Sequence, residues 1–102
     1  MIILLGELKL GKNDIPAFRA AAEKMIKATR AEKGCISYSF GEDVLEPGLF
    51  RIAEKWADEA ALGAHMQSPH MGEVQQALSK MEVLAFKVVS IDGSNEKVLI
   101  GG

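Results

Sequence analysis

Hydrophobic positions along this chain change their period several times, and each change marks an element. Residues 2–10, "IILLGELKL", alternate in two registers. Ile2, Leu4, Leu8 and Leu10 share one face, while Ile3 and Leu5 begin the other before Glu7 and Lys9. This pattern predicts a strand buried on both sides for at least half its length. "GKNDIP" breaks it, and Asn13 or Asp14 can cap a helix that has Pro16 in its first turn. Ile15, Phe18, Ala22, Met25, Ile26 and Thr29 then recur at helical spacing, and Gly34 after Lys33 suits the helix C-cap. In "CISYSFGED" the alternation returns, with Ile36, Tyr38 and Phe40 opposite Cys35, Ser37 and Ser39.

"LEPG" is a turn and "LFRIAEKW" a third strand. Asp58 can cap a helix through "EAALGAHMQ", which Pro69 interrupts by disfavouring helical geometry at Ser68. Ser68 and Pro69 then serve as N-cap and first position of a further helical piece to about Lys80. "VLAFKVVSI" is a fourth strand, apolar on both faces apart from Lys87 and Ser90. The tail "DGSNEKVLIGG" is a turn and a short apolar piece.

The resulting order, β-α-β-β-α-β, predicts an α+β, ferredoxin-like fold: one four-stranded antiparallel sheet with the helices on one face. Residues 1–102 form a single domain in this reading, with 93–102 as a C-terminal tail. Strands apolar on both faces leave the second face of the sheet uncovered, and such a face is an association site. A homodimer with its sheets packed face to face is the simplest cover. "KVLI" in the tail can exchange onto the partner's sheet edge and protect it.

Composition narrows the function classes. The 102 residues are 48% hydrophobic and 25% charged, as in ordinary soluble domains. A net charge of −2, with no run of unmatched Lys and Arg, argues against nucleic acid as a partner. The apolar opening is too short for a membrane span and lacks a basic leader segment, so no membrane partner is expected. The single Cys35 forms no internal disulfide, and the expected location is cytoplasmic.

Chemistry concentrates between residues 50 and 70. Phe50, Ile52, Glu54 and Trp56 fall on one face of the third strand. If that face is buried, Glu54 needs an ion-pair partner or its pKa must rise. Trp56 is a core anchor or a pocket wall. His65 shares a helical stripe with Ala57, Ala61 and Leu62, so it looks toward Glu54 and Trp56. His70 lies beyond the Pro break, where the helix dipole disfavours a protonated imidazole. A spacing of five with an intervening proline does not match the spacing of four in helical metal pairs. No nearby carboxylate is evident as a third ligand, so no metal site is expected. Ser37, Tyr38 and Ser39 can contact a small ligand, though the sheet pattern explains them equally well. No nucleophile-elbow, dinucleotide or P-loop motif occurs.

Two segments, "EKGCISYSF" (32–40) and "PGLFRIAEKWADEAALGAHMQSPHM" (47–71), resemble the antibiotic biosynthesis monooxygenase superfamily, in particular its small quinol-monooxygenase-like members. The specific part is P-x-x-F-x-x-x-E-x-W followed by H-x-x-S-x-H. The resemblance implies a dimeric α+β barrel with a pocket between helices and sheet in each protomer. It implies oxidation of a small aromatic quinol or anthrone by O2 with no cofactor. By position, His65 matches the family's helix histidine, Glu54 its strand carboxylate and Trp56 its strand-end tryptophan. His65 and Glu54 are then catalytic, with His65 as base or hydrogen-bond partner of the substrate and Glu54 fixing or polarising it. Trp56, Tyr38, Phe50, Ile52 and His70 bind substrate. Isomerases and ligand-binding dimers share the fold, so a non-oxygenase role is the alternative. The haem-degrading branch fits less well, because its first-strand Asn is missing from "MIILLGELKL".

Overall fold

The computed structural model describes residues 1–102 as four strands and three helices on a ferredoxin-like plan. The elements are β1 (Ile2–Leu10), α1 (Ile15–Arg30), β2 (Cys35–Glu42), β3 (Leu49–Trp56), α2 (Glu59–Met66), α3 (Pro69–Ser79) and β4 (Val83–Asp92). A single 3₁₀ turn, Lys12–Asp14, leads into α1. The sheet order is β2-β3-β1-β4, with every neighbouring pair antiparallel. No helix is long and apolar enough to cross a membrane.

Helix α1 forms because its apolar residues recur at spacings of three and four, with Pro16 at the start where its missing N–H costs nothing. Its buried stripe, Ile15, Phe18, Ala22, Met25 and Thr29, lies on the inner face of the sheet. The Asp14 side chain does not cap α1. It reaches across to accept from the Glu82 backbone N–H at 2.8 Å, tying the start of α1 to the start of β4. The expected caps at Asp58 and Ser68 do form, accepting from the backbone N–H groups of Ala61 and Met71 at 2.8 and 3.3 Å.

Three expectations are corrected. Helix α1 stops at Arg30, four residues before Gly34. Gly34 instead serves the turn into β2: its φ is +85°, and a Cβ there would lie 2.5 Å from the Ala61 Cβ on α2. In β2 the alternation slips, because Cys35 pairs with Trp56 and Ser37 with Lys55, leaving Ile36 as an extra residue in a bulge. The bulge turns Cys35 inward, packed against the core, and leaves Ile36 56% exposed. The helices also cover less of the sheet than two-layer packing suggests. All of β4 is exposed, including Phe86 and Val88, which face the helix side. A cleft therefore opens between α3 and β4. Residues 93–102 form no regular element, and Val98, Leu99 and Ile100 are exposed.

Candidate functional site

The cleft deepens into a cavity of about 290 Å³ between the helices and the inner sheet face. Leu4, Leu8 and Phe86 from the sheet face Met71, Val74 and Leu78 from α3. Only Glu54, His65 and Gln75 interrupt an otherwise apolar or aromatic lining. A hollow of similar volume, also about 290 Å³, lies on the outer sheet face among Glu7, Arg51 and Lys87. That hollow is open to solvent, with the exposed charges of Glu7, Arg51 and Lys87 beside Leu5 and Val89, so the walled, mostly apolar cavity beside His65 is the better candidate for binding an organic molecule.

Strand geometry places the first polar group. Period-two alternation puts Glu54 and Trp56 on the inner face of β3, where they are 6% and 0% exposed. The indole Nε1–H of Trp56 donates to Glu54 Oε1 at 2.9 Å, so the buried carboxyl has a partner on its own strand. Burial pushes the Glu54 pKa up, and the negative charge of Glu32 adds to the rise. The Trp56 hydrogen bond and the attraction of His65 pull it back only in part.

Tyr38 pairs with Glu54 across β2 and β3. Its phenol is held well above the ordinary tyrosine range, first by burial and then by Glu54 and Glu32, so it remains a neutral hydroxyl. The Thr29 hydroxyl pulls weakly in the opposite direction, but its geometry is too poor for a hydrogen bond. Thr29 Oγ1 is the one buried side-chain polar atom without a partner. The Cys35 thiol is also shifted upward, by burial and then by the two carboxylates, which argues against a nucleophilic role.

Helix α2 supplies His65 in its last turn, where it is 1% exposed. The ring centroid lies 4.6 Å from that of Trp56 and 5.4 Å from that of Tyr38. Its Nδ1 is 2.9 Å from Oε1 of Glu32, in the turn between α1 and β2. The same oxygen is the partner of His70 Nε2 at the start of α3. A carboxylate acceptor at Nδ1 fixes the imidazole tautomer, leaving Nε2 as an acceptor.

This arrangement revises the expected pairing. Glu54 makes no hydrogen bond to His65, because Trp56 Nε1 holds it; the carboxylate that orients the imidazole is Glu32. The two histidines are not separated by the Ser-Pro break. The break redirects the chain so that both reach one carboxylate, their ring centroids 5.9 Å apart. The third ligand thought missing for a metal is therefore present: Glu32, His65 and His70 bring donor atoms within 4.8 Å of one another.

Of the residues singled out from sequence, Tyr38, Ile52, Glu54 and His65 line the cavity. Trp56 lies behind His65, and His70 lies on the far side of Glu32. Phe50 belongs to a separate apolar cluster, its ring 4.7 Å from that of Phe18. Sequence reasoning missed Glu32, Met71 and Phe86. Glu32 stands first in "EKGCISYSF", but its partner is 33 positions away, and no local period connects them.

Comparison with known proteins agrees with this architecture. Residues 1–77 match the family model for antibiotic biosynthesis monooxygenases. The chain is similar to "Uncharacterized protein sll1783" of Synechocystis sp., with 39% identity over 72 residues, covering 71% of this chain and 49% of that protein. It thus spans about half the length of that relative. It is also similar to "Putative monooxygenase YcnE" of Bacillus subtilis, with 34% identity over 70 residues, covering 69% of this chain and 74% of that one. Among solved structures, "a putative antibiotic biosynthesis monooxygenase" from Deinococcus radiodurans superposes with a TM-score of 0.93 at 28% identity, covering 99% of this chain and 100% of that one. The chain belongs to the antibiotic biosynthesis monooxygenase family.

Proposed function

We propose that this protein is a cofactor-independent monooxygenase that oxidises a small aromatic quinol or anthrone with O2, using His65 as the base. One observation carries the proposal: a buried imidazole, oriented by Glu32, stands in the wall of an otherwise apolar cavity. Such substrates are weak carbon or oxygen acids. Proton transfer to His65 Nε2 leaves an electron-rich anion, and the dry lining keeps water from competing for it. The anion passes one electron to O2, and the resulting radical pair combines into a peroxide. His65 returns its proton to the terminal peroxide oxygen, and loss of water from the hydroperoxide leaves a carbonyl. For an anthrone the balance is CH2 + O2 → C=O + H2O, with the substrate supplying all four electrons. Neutral Tyr38 is suited to donate a hydrogen bond to a developing oxyanion. The volume of about 290 Å³ lies at the low end of small-molecule pockets, roughly 300–1,000 Å³, which favours a small aromatic over a macrocycle such as haem.

Oxygen uptake with a panel of quinols and anthrones tests this function. Wild type should turn over at least one, and His65→Ala should lose about 10²–10⁴-fold in rate, the range of positioned proton transfer. Full turnover by the variant would remove His65 from the role of base. Quenching of the single tryptophan, Trp56, reports binding separately. Binding without oxygen uptake across the panel would favour an isomerase or ligand-binding role.

The protein acts as a homodimer in this proposal, its outer sheet faces packed together. Support comes from Leu5, Val89 and Ile91, exposed by 42–48% on that face and aligned across the β1–β4 pair. The exposed Val98, Leu99 and Ile100 of the tail then dock on the partner. Sedimentation should show a dimer that the double variant Leu5→Glu, Val89→Glu converts to monomer.

A further inference from the structure

We propose that Glu32, His65 and His70 form a binding site for one divalent ion of the zinc, cobalt or nickel type. The site stands on ligand geometry alone and is independent of whether His65 acts as a base. Two imidazoles and a carboxylate are the donor set that borderline divalent metals select over calcium or magnesium. The donors come from three different parts of the fold: the turn after α1, the last turn of α2 and the first turn of α3. Their convergence within 4.8 Å is not a by-product of neighbouring positions on one helix.

Tetrahedral bonds of about 2.0–2.2 Å place donor atoms roughly 3.3 Å apart. The His65–Glu32 separation of 2.9 Å has to widen by a few tenths, and the longest separation has to close. Glu32 and His70, at 16% and 17% the partly exposed members of the set, are the side chains with room to rotate for both adjustments. A cleft of about 180 Å³ between α1 and α3 runs beside His70 and supplies an entry path. Lys24 and Glu73, paired at 3.1 Å, stand at its mouth. Three protein donors leave a fourth position for water. Neither imidazole has a protein partner on its other nitrogen, so the ion exchanges readily and does not act as a structural staple.

Occupancy has a chemical consequence. Metal at Nδ1 of His65 moves the ring proton to Nε2, turning the cavity-wall acceptor into a donor. An ion here therefore opposes proton abstraction at His65, and metal loading and the base role exclude one another.

Metal-free full-length protein titrated with Co2+ tests the site through its visible d–d absorption, and calorimetry with Zn2+ gives the stoichiometry. The expected result is one ion per chain, with intensity typical of low coordination number. His70→Ala and Glu32→Gln should each weaken binding by about a hundredfold or more, beyond the loss expected for an outer-shell partner. Far-UV circular dichroism and Trp56 emission establish that both variants are folded; a His65 variant is avoided because that side chain is buried. No saturable binding at one equivalent, or binding unchanged in both folded variants, would overturn the site.

Discussion

The two ends of the helix–sheet interface are built on one packing rule and differ in what they enclose. At the β3-start end, Leu8, Leu10, Ile15, Phe18, Ala22, Phe50 and Ile52 form a wholly apolar cluster. At the β3-finish end, Ile2, Leu4, Met25, Tyr38, Trp56 and Val74 form a second cluster beside the buried polar groups Glu54, His65 and Thr29. The first end is apolar throughout, so its residues contribute stability in proportion to area, about 1.5–3 kcal/mol for each large side chain, and Leu8, Phe18 and Ile52 also wall the cavity. The second end holds a raised carboxyl, a neutral phenol and an orphaned hydroxyl in low dielectric. Part of its packing energy is offset by desolvation of these groups. The buried polar groups are thus gathered at one end, while the wall of the cavity is shared by both.

Substitutions at each end break or sharpen that contrast. The largest effect is expected at the apolar end, where Leu10→Ala, at a buried position away from the cavity, should cost about 2–5 kcal/mol in urea unfolding. Ligand quenching of Trp56 should survive in whatever fraction stays folded. Next comes the joint that brings α2 to the sheet: Gly34→Ala combines a positive φ with a clash against a rigid Cβ. It should cost about 1–3 kcal/mol and weaken ligand binding as well, since α2 carries His65. At the polar end the sign reverses. Thr29→Val keeps the shape and removes the orphaned hydroxyl, so it should gain roughly 1 kcal/mol without change in turnover. Loss of stability there would show that Thr29 Oγ1 has a partner in solution.

The smallest effect is a slope. Glu54 has its pKa raised on folding, so the native state binds the proton more tightly than the unfolded chain does. Stability from this group is fully present below the unfolded value, about 4.3, and falls as pH rises toward the folded value. Glu54→Gln should flatten that part of the stability–pH curve, because the variant has no carboxyl to lose its proton as pH rises. An unchanged slope in the variant would mean that another group titrates there.

Legibility in the sequence followed the range of the interaction. Period two in β1 and β3, period three to four in α1, and the Asp58 and Ser68 caps are local signals, and the elements they mark form where expected. The inward set of β3 follows from alternation alone. The Ile36 bulge does not, because one inserted residue leaves the apolar pattern of "CISYSF" plausible in either register. Nor was Glu32 legible as the partner of both histidines. Its role depends on where the chain turns after α1 and on the angle at which α3 leaves α2, neither of which a periodic pattern encodes. The pairing of His70 with His65 is hidden for the same reason: a proline between two positions says that a helix ends, not where the next one points.

Ser68 settles that direction, with a consequence for motion. Its hydroxyl donates to the His65 carbonyl at 2.7 Å and accepts from the Met71 N–H, clamping the last turn of α2 to the first turn of α3. The two imidazoles therefore ride on a single rigid elbow and should reorient together on the timescale of helix motion, not as independent rotors. A visitor to either side of Glu32 meets a polar edge whose ordering entropy was lost during folding. Imidazole ¹⁵N relaxation should find both rings similarly restrained in wild type and decoupled in Ser68→Ala.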